Sequence, residues 1–117
     1  MKILLVDDER KFVSALAERL SMRGIEADWA TSPDDALSMA GRESYSLAVL
    51  DVKMPSLSGI ELKRRLQKIS PNMKFIFVTG HGSEEDYNVG SKEAFSYIIK
   101  PFNIDNLVEK IKQALDI

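Results

Sequence analysis

One stretch of the chain decides its fold: Ala48-Val49-Leu50-Asp51-Val52-Lys53-Met54-Pro55. A short apolar run, which starts at Leu47, ends here abruptly on the carboxylate of Asp51. Runs of about four to eight apolar residues are typical of strands in a sheet that is buried on both faces. Open α/β sheets bind their ligands at the carboxyl ends of such strands, so Asp51 is a candidate site residue. Asp is also common in turns, and the rest of the chain has to decide between these two interpretations.

Three more apolar runs and one segment with partial alternation, Ile25 to Ala30, predict strands, and segments with apolar residues three or four apart predict helices between them. Strict alternation of strands and helices implies a parallel sheet with helices on both faces. Five strands favour the order 2-1-3-4-5, in one doubly wound, flavodoxin-like α/β domain with five helices that spans residues 1–117. The run Lys63-Arg64-Arg65 is interpreted as a solvated helix face. The predicted strands are 2–6, 25–30, 45–50, 73–78 and 94–99, and the helices begin near residues 10, 32, 60, 83 and 103, the first running to residue 23.

The composition excludes several classes of protein. The chain has 117 residues, of which 44% are hydrophobic and 29% charged, as in an ordinary globular domain. It has no cysteine, which excludes disulfides, thiolate metal sites and thiol catalysis. A net charge of -2 gives no support for nucleic-acid binding. No apolar run approaches the ~20 residues of a membrane span, and acidic residues come too early for a signal peptide, so we expect a cytoplasmic location.

Charged and hydroxyl side chains follow four of the predicted strands. Asp7 and Asp8 come directly after the first strand, and Asp51 ends the third. Thr79 and Lys100 follow the fourth and fifth. Since the carboxyl ends of parallel strands share one edge of the sheet, these side chains should converge. Three acids in one place raise one another's pKa and cost stability, a conflict that a hard divalent cation such as Mg²⁺ resolves by binding their oxygens.

The same residues suit phosphoryl chemistry. A carboxylate such as that of Asp51 can act as a nucleophile and form an aspartyl-phosphate. Mg²⁺ and the ammonium group of Lys100 would neutralise the oxygens of the transferred group, and the Thr79 hydroxyl could donate a hydrogen bond to them. Simpler interpretations exist for each residue: Thr79 as a β-branched strand residue, Lys100 as a surface lysine, and the two early acids as charges at a helix N-terminus.

Four short segments, in this order and at this spacing, carry a resemblance to a known family. They are Ile3-Leu4-Leu5-Val6-Asp7-Asp8-Glu9, Leu50-Asp51-Val52-Lys53-Met54-Pro55 with Ser58-Gly59, Val78-Thr79-Gly80, and Tyr97-Ile98-Ile99-Lys100-Pro101-Phe102. The sequence resembles the receiver domains of bacterial two-component response regulators over essentially its whole length. Each segment alone is a weak signal, whereas the set of four is highly specific.

The resemblance implies a site and a reaction. Asp51 would accept a phosphoryl group from the phosphohistidine of a sensor histidine kinase or a phosphotransfer protein. Asp8 and Asp51 would bind Mg²⁺ directly, together with the backbone carbonyl of Lys53, and Asp7 would act directly or through water. Lys100 would hold the acyl phosphate. Such a domain is a phosphoacceptor switch that assists its own phosphotransfer and dephosphorylation, rather than an enzyme acting on a separate substrate.

The resemblance also implies a switch. Thr79 would move to bind the phosphoryl group and Tyr97 would rotate inward behind it, although an aromatic residue in a strand is usually there for packing. The Lys100-Pro101 bond is usually cis in the family. The predicted helix at 83–90, the fifth strand and the last helix would then report phosphorylation to a downstream protein or a fused output domain. A phosphorylation-dependent homodimer is also implied, and binding to nucleic acid or membrane by this domain is not.

Two departures from the family pattern concern the surroundings of the site. Glu93 stands where the family often has glycine, which affects the loop before the fifth strand. Lys53 and His81, two residues after Asp51 and Thr79, flank the path of the attacking water in this family. We hypothesise that these two bulky side chains slow hydrolysis of the aspartyl-phosphate.

Three other functions remain open at this point. A receiver-like interaction module that is never phosphorylated would have little reason to keep Asp8, Asp51, Thr79 and Lys100 together. A flavodoxin-like nucleotide binder needs a Gly- or Ser/Thr-rich phosphate cradle after the first strand, where this chain has acids. An aspartyl-phosphate phosphohydrolase usually has a second acid two residues after the nucleophile, where this chain has Lys53.

Overall fold

The computed structural model describes residues 1–80 and 94–117. Its strands are β1 (Lys2–Val6), β2 (Glu26–Ala30), β3 (Leu47–Asp51), β4 (Lys74–Thr79) and β5 (Ser96–Ile99), and its helices are α1 (Arg10–Ser21), α2 (Pro33–Arg42), α3 (Gly59–Ile69) and α4 (Ile104–Leu115). The strands form one parallel sheet in the order β2-β1-β3-β4-β5, which confirms the predicted topology. The further helix predicted at 83–90 lies outside the described residues. Among the helices described, none is both long and apolar enough to cross a membrane.

The register of the sheet brings the strand ends together. Val6, the last residue of β1, pairs with Leu50 in β3. Asp51, the last residue of β3, pairs with Val78 in β4, directly before Thr79. The residues at and just beyond the carboxyl ends of β1, β3 and β4 therefore lie side by side at one edge of the sheet.

Neighbouring residues of each strand enter two separate apolar cores. In β1, Ile3 and Leu5 face the core that α1 and α4 cover, whereas Leu4 and Val6 face the core that α2 and α3 cover. Side chains alternate between the two faces of a strand, so burial of both faces requires the continuous apolar runs seen in the sequence. The strands of this sheet are thus held from both sides, which fixes the position of their carboxyl ends.

The helix ends follow the capping residues in the sequence. Ser32 and Asn103 accept hydrogen bonds from backbone N–H groups in the first turns of α2 and α4, at 3.1 and 2.8 Å. Helix α1 ends at Ser21, before the predicted end at residue 23. Gly24 then has a φ of 79°, the left-handed conformation that glycine adopts at least cost.

The predicted solvated face of the third helix is wrong for one of its three basic residues. Lys63 is only 9% exposed, and its Nζ lies 5.8 Å from the centroid of the Phe75 ring. Arg64 and Arg65 are exposed, with ion pairs to Glu61 at 3.5 and 3.7 Å. A long lysine stem can cover apolar surface, and its place on the buried side of α3 depends on how the helix is rotated against β4.

Candidate functional site

Three carboxylates meet at the carboxyl edge of the sheet. Asp7 and Asp8 follow β1 and Asp51 ends the neighbouring β3. One oxygen atom from each lies within 4.8 Å of the others. Asp7 and Asp51 are buried, at 4% and 6% exposure, whereas Asp8 is exposed to solvent. The predicted convergence of these acids is confirmed.

Backbone N–H groups orient the two buried carboxylates. Oδ1 of Asp7 accepts a hydrogen bond from the backbone N–H of Glu9 at 2.9 Å. Oδ1 of Asp51 accepts one from the backbone N–H of Lys53 at 3.3 Å. In both cases the donor lies two residues ahead, so each loop folds back on the acid that precedes it. The carboxylates are thereby held in place by the chain that leaves the strand.

Lys100, the residue directly after β5, reaches the acidic cluster. Its Nζ lies 2.6 Å from Oδ2 of Asp7 and 3.8 Å from Oε1 of Glu9. Its backbone N–H donates to the carbonyl of Thr79 at 2.6 Å, which ties the end of β5 to the end of β4. The Lys100-Pro101 peptide bond is cis. The lysine expected at the site is therefore present, and it contacts Asp7 directly.

The electrostatics of the site oppose ionisation of Asp51. Burial and the negative charge of Asp7 raise the pKa of Asp51 to about 6, against the opposing effect of the Lys100 ammonium and the Lys53 N–H. Burial alone would lower the pKa of Lys100, but its hydrogen bond and charge pairing with Asp7, together with Asp51 and Glu9, raise it overall. Lys100 is therefore positively charged. Its single charge does not balance the negative charges of the carboxylates around it.

The donor set fits a hard divalent cation. Within residues 1–80 and 94–117, Asp7, Asp8 and Asp51 are the one group of three or more potential ligands close enough to share an ion. All three offer oxygen, the ligand that Mg²⁺ and Ca²⁺ prefer. A divalent ion here would also relieve the repulsion that raises the pKa of Asp51.

The predicted switch residues lie next to the site. Thr79 is fully buried, and its Oγ1 has no hydrogen-bond partner within the described part of the chain. A buried hydroxyl without a partner is costly, so an acceptor placed next to Thr79 would form a favourable hydrogen bond with it. Tyr97 packs edge-to-face on Phe77, with ring centroids 6.4 Å apart, and its hydroxyl oxygen is buried.

Some expected site residues are located only in part. Lys53 is exposed in the loop after Asp51. His81 and Glu93 lie outside the described residues.

The sequence interpretation missed two contacts: the centroid of the Phe12 ring lies 4.4 Å from Nζ of Lys100, and Gly59 packs against the backbone carbonyl of Asp51. Spacing on α1 marked Phe12 only as a core residue, and no local signal pairs it with a lysine that follows β5.

Comparison with known proteins decides the family. A family model described as the response regulator receiver domain matches residues 3–112. The chain is a receiver domain of this family. It is 34% identical over 116 residues to sporulation initiation phosphotransferase F of Bacillus subtilis, a match that covers 97% of this chain and 93% of that protein. It is 33% identical to the transcriptional regulatory protein GlrR of Escherichia coli, a match that covers 97% of this chain but only 26% of GlrR. The receiver domain thus spans about a quarter of the length of some curated relatives.

Solved receiver structures share the fold and include loaded forms. The response regulator TrrA from Thermotoga maritima, in complex with Mg²⁺ and BeF, is 35% identical with a TM-score of 0.85, over 97% of each chain. A response regulator from Burkholderia pseudomallei, with a phosphorylated aspartic acid and a calcium ion, is 27% identical with a TM-score of 0.87. That match covers 98% of this receiver domain and 69% of the other chain.

Proposed function

We propose that this receiver domain, residues 1–117, accepts a phosphoryl group on Asp51 from the phosphohistidine of a sensor histidine kinase or a phosphotransfer protein. One observation carries the proposal: the buried Asp51 carboxylate lies among Asp7, Asp8 and the ammonium of Lys100. Asp51 is the member of this group that ends a central strand, where ligands bind in such sheets.

In the transfer step, a carboxylate oxygen of Asp51 forms a bond to phosphorus. The bond between phosphorus and the donor breaks, and the donor leaves with its electron pair. Lys100, whose pKa is raised, carries the positive charge that stabilises the negatively charged oxygens of the phosphoryl group during its transfer. Asp51 is ionised above its pKa of about 6, so it is a competent nucleophile at neutral pH.

The acidic cluster would hold Mg²⁺ through Asp8, Asp51 and the backbone carbonyl of Lys53, with Asp7 bound directly or through water. When bound, the ion supplies positive charge to the transferring phosphoryl oxygens. The chemistry of the donors supports this assignment, because three carboxylate oxygens within 4.8 Å of one another are the kind of ligand that a hard divalent cation prefers.

The phosphoryl group would act on the rest of the domain through Thr79 and Tyr97. The unpartnered Thr79 hydroxyl supports this, because an aspartyl-phosphate would give it an acceptor. The switch would act on β5, α4 and the helix that the sequence predicts at 83–90, and so control a downstream protein, a fused output domain or a homodimer. We also propose that the protein is cytoplasmic. Lys53 and His81 would slow hydrolysis of the aspartyl-phosphate.

The test is phosphorylation of the purified chain by acetyl phosphate, with and without Mg²⁺, read by intact mass. We expect one Mg²⁺-dependent adduct of one phosphoryl group, absent in Asp51→Asn. Asp34→Asn, which removes an exposed acid at the start of α2, is the matched control and should still be modified.

The alternative function is a receiver-like module that signals by binding alone. An unmodified wild-type chain with its fold intact, in both acetyl phosphate and beryllofluoride with Mg²⁺, would exclude the phosphoacceptor role and favour this module. An adduct that persists in Asp51→Asn would place the phosphoacceptor at another residue.

A further inference from the structure

The ammonium of Lys100 has two kinds of neighbour. On one side Nζ lies 2.6 Å from the carboxylate of Asp7. On another it lies 4.4 Å from the centroid of the Phe12 ring. The side chain of Asp7 is buried, at 5% exposure, and that of Lys100 is partly buried, at 16% exposure, so water has limited access to the ammonium. At such distances a lysine is attracted to the electron-rich face of an aromatic ring, and more strongly when it is shielded from solvent.

The geometry points to Phe12 as a positioning residue for Lys100, an inference that rests on the proposed function. A lysine has a flexible four-carbon stem and three donors, so one ion pair leaves its ammonium free to swing. The ring of Phe12, whose centroid lies 4.4 Å from Nζ, is a second contact that limits that motion. The ammonium is then already in place when a phosphoryl group approaches Asp51, and less ordering is needed in the transfer step.

The ring is needed most when Asp7 is engaged elsewhere. Asp7 belongs to the cluster that would bind a divalent ion, and such an ion competes with Lys100 for the same carboxylate. Glu9 is a weak substitute, because its carboxylate is 3.8 Å away and 69% exposed. The contact with Phe12 does not depend on Asp7, so it keeps the lysine at the site in both situations.

The ring of Phe12 is itself supported by a second aromatic ring. Phe12 packs edge-to-face on Phe102, with centroids 6.1 Å apart and an angle of 86° between the rings. Phe102 follows Lys100 by two residues, and both rings pack on the core that α1 and α4 cover. The lysine and the support of its aromatic neighbour therefore come from the same short segment, which couples their positions.

The test compares Phe12→Leu with Phe12→Tyr, in the purified chain. Leucine keeps an apolar side chain but has no ring face, whereas tyrosine keeps the face. Val108→Ala, which reduces packing on the same core from α4, is the control for a general loss of stability. Two quantities are measured: the NMR shifts of the Lys100 ε-methylene protons without Mg²⁺, and the phosphorylation rate with acetyl phosphate at saturating Mg²⁺.

In the wild-type chain the Lys100 ε-methylene protons should lie upfield, because they sit over a ring. In Phe12→Leu they should move downfield, and the phosphorylation rate should fall about three- to tenfold at unchanged Mg²⁺ affinity. Phe12→Tyr should retain the upfield shift and a rate within about twofold of wild type. Val108→Ala should change neither quantity.

Several outcomes would overturn the role of Phe12. These are unchanged lysine shifts or an unchanged rate in Phe12→Leu, or an equal loss of rate in Val108→Ala. If the wild-type chain is phosphorylated, such a result removes only the positioning role and leaves the proposed function intact. A wild-type chain that is never phosphorylated overturns both, and the lysine shifts then show whether the ring contact exists as a structural feature.

Discussion

Asp51 is buried next to Asp7, so its negative charge destabilises the folded chain when no divalent cation is bound. Its pKa is about 6 in the folded protein, against 3.8 for an ordinary aspartate. Between these two values the folded state binds the proton more tightly than the unfolded state does. Stability therefore falls as the pH rises from about 4 to about 6, by up to about 3 kcal/mol, and stays lower above that range.

Asp51→Asn should remove this effect, because the amide has no charge to bury. In EDTA, urea unfolding should give equal stabilities for the variant and the wild type near pH 4. At pH 7 to 8 the variant should be more stable by about 2–3 kcal/mol. Glu18→Gln, at an exposed position on α1, should not reproduce that gain. A stability difference that is the same at every pH would contradict the prediction.

At the scale of single residues, the sequence predicts which side chains lie at the site. It does not predict as well which other side chains they contact. Asp7, Asp51 and Lys100 were predictable because parallel strands end at one edge. The contact between Lys100 and Phe12 was not, since it joins the residue after β5 to the first turn of α1 and depends on packing alone. The burial of Lys63 was missed for the same reason.

Helix α3 begins against the end of β3, and Gly59 makes this close approach possible. A Cβ atom at Gly59 would overlap the backbone carbonyl of Asp51 and lie 2.9 Å from Cα of Val52. The backbone N–H of Gly59 also donates to the carbonyl of Val52 at 2.8 Å, so the helix start cannot move away without losing a hydrogen bond. The backbone of Asp51, the candidate phosphoacceptor, is thus packed against Gly59, where there is no room for a side chain.

Gly59→Ala should destabilise the domain by about 1–3 kcal/mol, because backbone atoms rather than a flexible side chain must yield. Its matched control is Gly41→Ala. Gly41 lies within α2 with nothing within 4 Å of an added Cβ, so alanine there should stabilise by about 0.5–1 kcal/mol. Urea unfolding midpoints would measure both. A Gly59→Ala variant as stable as wild type would mean that the close approach is not rigid.

At the scale of elements, the existence and order of the strands followed from the sequence, and their exact packing did not. Short continuous apolar runs are typical of strands buried on both faces, and the capping residues Ser32 and Asn103 marked two helix starts. The end of α1 is set by local backbone hydrogen bonds to Leu20 and Ser21 before Gly24, whereas the burial of Lys63 on α3 depends on packing against β4. The helix predicted at 83–90 lies outside the described residues, so it stays a prediction.

Across the whole molecule, two cores fix the strands from both sides, while three acids whose charge Lys100 compensates only in part gather at the carboxyl ends. The fold therefore supplies the rigidity that holds Asp7, Asp8 and Asp51 together against their repulsion. A cation that binds only this folded arrangement stabilises the entire domain, because unfolding separates its ligands. Ligand binding at one edge of the sheet should thus be measurable as global stability.

Mg²⁺ should raise the thermal unfolding midpoint of the wild-type chain. At ten times its dissociation constant, an ion that binds only the folded state adds about 1.4 kcal/mol, which corresponds to about 5 °C for a domain of this size. Asp8→Asn removes an exposed ligand at little structural cost, so it should abolish most of the Mg²⁺-dependent increase, whereas Asp34→Asn should retain it. The same increase with NaCl at matched ionic strength, or in Asp8→Asn, would show general screening of charge rather than binding at the cluster.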